Sequence, residues 1–463
     1  MRLLPIFLTS LLMLSACGTP AQPTIPPAES SAPTSTAVAL GGTLQTSVLA
    51  TTWKNSLEGT VLFPIDPTSG TPLPDYSPIS LGQSSYPAFS PDRQTLAMVS
   101  FPREDAYDGS LLLIDLQTWK TRALELKLTG WVTTMTFSPD GKQLAIAHGA
   151  ANYQITMINV EKGVITAQSQ TDSYVSRLSF TKNGEALMLY GPTLYAANNV
   201  GAGAPRVMLL NAADLSSRWS ATLDNIRDGV FPKDETITQP ELHEPGNSFY
   251  FNPGITFAPD QDVLYIVHAD SEQLTTVNFE SQKVETVKIQ PKLTWFDKLL
   301  STDVAHAKGE NGTSKQTAVS PDGRFLYVVG AKDTVSIDQG NVQLKTTPLG
   351  LEIIQTNDGS RVSHIATDAT ELSLSPDGHL LYLRNWIDST PWTEIFDTSK
   401  RQVIAHKEAL YATPVLLTNG GSLLASTYST SPTSNRMSIL QADGSTVLSA
   451  WTDRDYVSWL NTP

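Results

Sequence analysis

One phrase returns seven times along the 463-residue chain: an apolar residue, then Ser-Pro-Asp-Gly or a near copy, then two polar residues and a second apolar run. It reads FSPDRQTLAMVS from Phe89, FSPDGKQLAIAHG from Phe137, FTKNGEALMLYG from Phe180, FAPDQDVLYIVHA from Phe257, VSPDGRFLYVVGA from Val319, LSPDGHLLYLRNW from Leu374 and LTNGGSLLASTYS from Leu417. Pro presets φ for the second position of a tight turn, Asp and Asn fold their side chains onto nearby backbone N–H groups, and Gly accepts positive φ. An apolar run on each side of such a turn is a strand, so every copy predicts an antiparallel hairpin. Copies spaced 43 to 77 residues apart build a core by stacking one unit on the next.

Each copy continues in the same way. After QTLAMVS come SLLLIDLQTWKT and RALELK, a third and a fourth strand, and the third recurs as ITMINVEKG, VMLLNAADL, LTTVNFESQ, GLEIIQTNDG, TEIFDTSK and MSILQADG. The unit is therefore four antiparallel strands, a to d, with a ending just before the turn and b following it. Repetition of such units predicts an all-β fold, a single β-propeller of four-stranded blades. The N-terminal runs SVLATTW, GTVLFPIDPTSG and YSPISLG supply b, c and d without a, whereas Tyr456-Val457-Ser458-Trp459-Leu460 is a lone strand a. Pairing the two closes the ring and hides its edges. Counted this way there are eight blades, with seven as the alternative if one assignment fails. The propeller spans 45–463, with insertions at about 224–254 and 291–314; Trp295, Phe296, Leu299 and Leu300 follow a helical period and predict one short helix in the second.

A net charge of −14 argues against a nucleic-acid surface, which needs clustered Lys and Arg to displace counterions from phosphates. The single cysteine, Cys17, excludes an intrachain disulfide framework, a Cys-based zinc site and c-type haem attachment. Arg2, the apolar stretch from Leu3 to Leu14 and the small residues before Cys17 make residues 1–16 a secretory signal peptide. Residues 17–44, with five prolines between Gly18 and Ala37 and almost no large apolar side chain, read as a disordered tether. In proline-rich extended form about 20 residues reach roughly 60 Å at ~3.1 Å per residue.

Two resemblances follow. Leu14-Ser15-Ala16-Cys17 resembles the bacterial lipobox, which implies a lipoprotein: Cys17 becomes the acylated, palmitate-bearing first residue and holds the chain on the non-cytoplasmic side of a membrane of the bacterial cell envelope. Several acyl chains anchor far more firmly than one. The Ser-Pro-Asp-Gly phrase with its following strands resembles the WD40-like propellers of bacterial envelopes, including the TolB-type repeats, and GRFLYVVGAKDTVSID from Gly323 resembles the YVTN surface-propeller group. The likeness covers nearly all of 45–463. It implies the propeller fold and leaves function open, because propellers carry binding proteins and enzymes alike.

No Gly-x-Ser-x-Gly and no His-Glu-x-x-His is present, so neither a hydrolase elbow nor a zinc-protease helix is encoded. His148, His268 and His379 stand at strand ends and turns and read as structural, while His243, beside Glu244 in an insertion, is the histidine most open to a role. In an up-and-down blade the a–b and c–d turns share one face and the b–c and d–a connections the other. The first set is short; the second holds the long segments, and long connections on one face mark a binding face. Its candidate contact residues are Tyr107, Phe231, His243, Phe249, Tyr250, Phe251, Trp295, Phe296, Trp386 and Trp392. The reading is a monomeric, non-catalytic scaffold for a protein or glycan partner, with no cofactor. The alternative is a metal-assisted, lactonase-like hydrolase in the central channel, where Glu371, Asp455 and Asn252 would hold calcium.

Overall fold

Strand pairing follows the order the repeated hairpin dictates. The computed structural model describes residues 44–460 except 56–58, 83–86, 102–107, 150–152, 172–173, 194–202, 235, 238–246, 292–311, 339–340, 387–389, 418–421, 432–433 and 454. Among these the only helical element is one 3-10 turn, Leu44–Thr46. The signal segment, Cys17, the Pro-rich stretch and the helix expected around Trp295 lie outside the described residues. One compact unit spans Gly42–Pro463.

Its strands form eight sheets, seven of four strands and one of eight in which Gly312–Val319, Phe325–Asp338, Leu351–Gln355 and Ser360–Ile365 make the same four-strand ladder. In chain order the blades after the first occupy 87–129, 131–171, 177–222, 254–288, 312–365, 371–408 and 412–453. The first is the composite: Val48–Asn55, Gly59–Ile65 and Ile79–Gly82 are its b, c and d, and Val457–Trp459 is its a. The core is divided in the same way. Eight apolar clusters are each shared by two successive blades, among them Leu49, Leu62 and Leu81 of the first with Leu96, Met98 and Ile114 of the second, and Val48 and Ala50 of the first with Leu423 and Met437 of the eighth. A cluster at every junction, including the one between last and first, makes the ring closed and the propeller eight-bladed.

Burial grades outward through each blade, as the residue types require. In the fifth blade strand b, Val263–Val267, is buried at all five positions, whereas strand d, Lys283–Lys288, is exposed at all six. The turn phrase repeats atom by atom. In the third blade Ser138 Oγ donates to Asp140 Oδ1 at 2.7 Å, and that oxygen accepts Lys142 N–H at 3.1 Å while Gln143 N–H donates back to Ser138 Oγ at 2.9 Å. The second, sixth and seventh blades copy it at Ser90, Ser320 and Ser375. Such carboxylates are stabilised as anions: the Ser138 hydroxyl and the Lys142 amide hold Asp140 below its ordinary value.

Closure rests on a short strand with dense contacts. Ala50, Thr51 and Thr52 pair with Trp459, Ser458 and Val457, Leu460 N–H donates to Leu49 O at 3.0 Å, and Trp459 Nε1–H donates to Thr427 Oγ1 at 2.9 Å in the eighth blade. Trp451 and Trp459 meet edge to face at 6.0 Å. The C-terminal strand is thus bonded to both blades it joins.

Two features were not foreseen. The first insertion folds into a hairpin, Gly229–Pro232 with Ser248–Asn252, whose second strand runs parallel to the start of Gly312–Val319. Strand a of the sixth blade thus begins inside the stretch read as an insertion. In the same blade strand b runs on to Asp338 and turns back through Asn341–Pro348 as a projecting arm.

Candidate functional site

The hairpin at 229–252 stands on the face of the b–c and d–a connections, because only Pro253 separates it from strand a of the fifth blade, Gly254–Phe257. Alternation along a strand sends every second side chain the same way. Phe231 pairs with Phe249, and Phe251 lies two residues on, so the three rings share one side. Phe231 and Phe249 lie 5.8 and 6.1 Å from the buried Phe251, and the Arg227 guanidinium sits 5.6 Å over Phe231 and 5.8 Å over Phe251. These three rings pack the insertion onto itself. Tyr250 points the other way and is 42 % exposed.

Asp228 fastens the base of this hairpin. The wholly buried Tyr190 donates its hydroxyl to Asp228 Oδ2 at 2.7 Å, and burial raises the Asp228 pKa. Burial, and then the Asp228 charge, also raises Tyr190 well above its usual value.

A second group belongs to the seventh and eighth blades. Glu371 opens strand a of the seventh blade opposite Arg384 of its strand b, and Arg384 Nη2 lies 3.5 Å from Glu371 Oε2. The Tyr411 hydroxyl donates to the same carboxylate, the Arg384 guanidinium lies 5.2 Å over the Tyr411 ring, and Trp386 meets that ring edge to face at 5.2 Å. Trp386 is itself 54 % exposed. Trp392 is half-buried, packs on the core between the sixth and seventh blades and lies 5.4 Å from the His406 ring.

Two more exposed apolar side chains share this face. Leu344 on the projecting arm is 65 % exposed, and Tyr456, in the connection to the closing strand, 53 %. The other large apolar side chains this exposed among the described residues lie in outer d strands: Val164, Ile165, Val284, Val287, Val403, Ile404 and Val447. The asymmetry has exceptions in loop length, since Gly130 alone joins the second blade to the third.

Of the residues expected to line the binding face, Phe231, Phe249, Tyr250 and Phe251 come together in one hairpin, and Trp386 and Trp392 belong to the seventh blade. Tyr107, His243, Trp295 and Phe296 lie outside the described residues. The three residues considered for a metal stand in three different segments. Glu371 is engaged by Arg384 and Tyr411, Asn252 ends the hairpin strand paired to Ser314, and Asp455 lies between the eighth blade and the closing strand. Among the described residues no three His, Cys, Asp or Glu side chains lie close enough to hold a metal ion. His148 and His268 are core groups, each with its Nε2 against a threonine hydroxyl, Thr156 at 2.8 Å and Thr275 at 2.7 Å.

The channel holds a cavity of about 700 Å³. Strands a of the fifth, sixth and seventh blades wall it with the hydroxyls of Thr256, Thr317 and Ser373, and the a–b turns close on it with Pro259, Pro321 and Pro376. Gly254 lets two of these strands meet: a Cβ there would run into Thr317 Oγ1. Arg93 and Arg384 also line the cavity. Arg93 replaces the glycine of the turn phrase at φ 56°, where Gly141, Gly184, Gly323 and Gly378 hold φ of 70°, 72°, 70° and 72°. Sequence reasoning passed over this residue, although an arginine at a glycine position was the available signal.

No protein-family model matches this chain, and no curated protein matches it. Solved structures do. It is similar to dihydro-haem d1 dehydrogenase NirN in complex with DHE, at 11 % identity and a TM-score of 0.54, over 89 % of this chain and 74 % of that one. It is also similar to a eukaryotic initiation factor, at 14 % identity and a TM-score of 0.49 over 89 % and 98 % of the two chains. The β-propeller domain of Cps50 from Myceliophteria thermophila matches at 13 % identity and a TM-score of 0.42, over 75 % and 94 %. At these identities the likeness to NirN speaks for the fold alone, and the strand order and closed ring make that fold a β-propeller.

Proposed function

We propose that the protein is a lipid-anchored, non-catalytic binding scaffold of the bacterial envelope that presents the face of its b–c and d–a connections to a protein or glycan partner. One observation carries the reading: among the described residues Tyr250, Leu344, Trp386 and Tyr456, the strongly exposed large apolar side chains outside the d strands, all belong to that face. Aromatic side chains contribute large contact area at low entropic cost and dominate interface energetics, so rings left in water on one face of a rigid disc have a function to explain them. The lipobox-like ending at Cys17 and the proline-rich stretch behind it support an anchor with reach.

The experiment places a photo-crosslinking amino acid at Tyr250, Leu344, Trp386 or Tyr456, and for comparison at Lys142 or Arg324 on the a–b turns, in the cells that make the protein. All four positions on the long-connection face are expected to trap the same species, and the turn positions none. Protease or glycosidase sensitivity of the adduct decides between protein and glycan. Equal trapping from the a–b turns, or no adduct from any of the four, contradicts the reading. In the same cells Cys17→Ala is expected to abolish acyl-probe labelling; unchanged labelling refutes the anchor.

A further inference from the structure

Three of the buried polar side-chain atoms that lack a hydrogen-bond partner gather at the channel. Arg93 Nη1, Arg384 Nε and Thr317 Oγ1 are buried, line the same cavity and have no hydrogen-bond partner. A buried unpaired donor is costly, more so when charged, and such groups are rare in folded proteins. Three in one cavity describe a site that expects an acceptor.

The charge is one-sided. Among the described residues the cavity lining carries two guanidinium groups and no carboxylate. Glu371 offsets Arg384 from outside the lining, which leaves Arg93 as the uncompensated cation. Arg93 is also placed at a cost. A non-glycine residue in the left-handed region is strained, and glycine holds the same turn position in the third, fourth, sixth and seventh blades. The second blade keeps the strain and contributes a guanidinium to the cavity that the a–b turns of the fifth and sixth blades also line, at Pro259 and Pro321. Phe257, Leu372 and Leu374 give the same cavity an apolar part of its lining.

We propose that the central channel binds an organic oxyanion, a carboxylate or phosphate head on a short apolar body, with the head on Arg93 and Thr317 and the body along Phe257, Leu372 and Leu374. Guanidinium groups pair with these heads through paired N–H donors, and a desolvated site strengthens the contact. Arg384 is shared with the group under Trp386 on the partner face, whereas Arg93 lines the channel, so substituting Arg93 tests this site without touching that face.

Calorimetric titration of the soluble domain with octanoate, octyl phosphate, inorganic phosphate and octyltrimethylammonium tests it. At least one of the two octyl anions is expected to bind, more tightly than inorganic phosphate, and the cation not at all. Which of the two binds more tightly identifies the head group. Arg93→Gly and Arg93→Gln are expected to weaken that binding about tenfold to a hundredfold. Arg93→Gly installs the glycine found at this position in the third, fourth, sixth and seventh blades, so its melting temperature is expected to equal or exceed the parent's, which separates a binding role from a structural one. Parent-like affinity in Arg93→Gln, binding of neither anion, or equal binding of the cation overturns the proposal. Inorganic phosphate binding as tightly as octyl phosphate removes the apolar body from it.

Discussion

His268, read from the sequence as a structural residue, is built into the core of its blade. It is fully buried beside strand b of the fifth blade, shares a 2.7 Å hydrogen bond with Thr275, and Thr275 in turn meets Thr286 of strand d at 2.7 Å. His148, Thr156 and Gln168 make the same relay in the third blade. Burial, aided by the Lys315 charge and opposed by Asp270, lowers the His268 pKa from 6.5 to about 4. A folded pKa below the unfolded one means that the unfolded chain takes the proton first, so this contribution is complete above pH 6.5 and is lost as the pH falls to about 4. At ~1.4 kcal/mol per pH unit the loss is on the order of 3 kcal/mol. Denaturant titrations from pH 7 to 4 are expected to show a shallower decline in His268→Gln than in the parent. Parallel curves contradict the assignment.

Elements differ in how plainly they are written. The turn phrase is local chemistry, Ser, Pro, Asp and Gly acting within five residues, and it placed strands a and b wherever it occurs. The clustering of Phe231, Phe249 and Phe251 depended on the pairing of 229–232 with 248–252 across 15 intervening residues that carry no turn phrase, which no local signal announces. The arm of the sixth blade had a signal in the sequence that went unread: Val335, Ile337, Val342 and Leu344 alternate about Gln339-Gly340. Among the described residues the two strands of this arm pair only with each other beyond Asp333 and Thr346. Replacing 334–345 by an Asn-Gly turn is therefore expected to change stability by less than about 1 kcal/mol. It is also expected to weaken partner capture through loss of Leu344. A large fall in melting temperature instead makes the arm part of the fold.

At the scale of the whole molecule a propeller has no central core, only junctions between blades, and a ring of junctions is stable to the extent that it is closed. The composite first blade closes it with the strand Val457–Trp459, and the apolar clusters on both sides of that blade include residues of the closing segment, Val457 on one side and Leu460 on the other. The partner face and the channel both presuppose this closure, since Tyr456 belongs to one and the a strands wall the other. The decisive measurement is the thermal unfolding of the soluble domain beside a version ending at Asp455, followed by calorimetry. Closure through the C-terminal strand predicts that the shortened domain loses its single cooperative transition or melts far lower, and that a synthetic peptide of residues 456–463 added in excess restores part of the loss. A shortened domain that melts at the parent's temperature with the parent's enthalpy contradicts the closed ring.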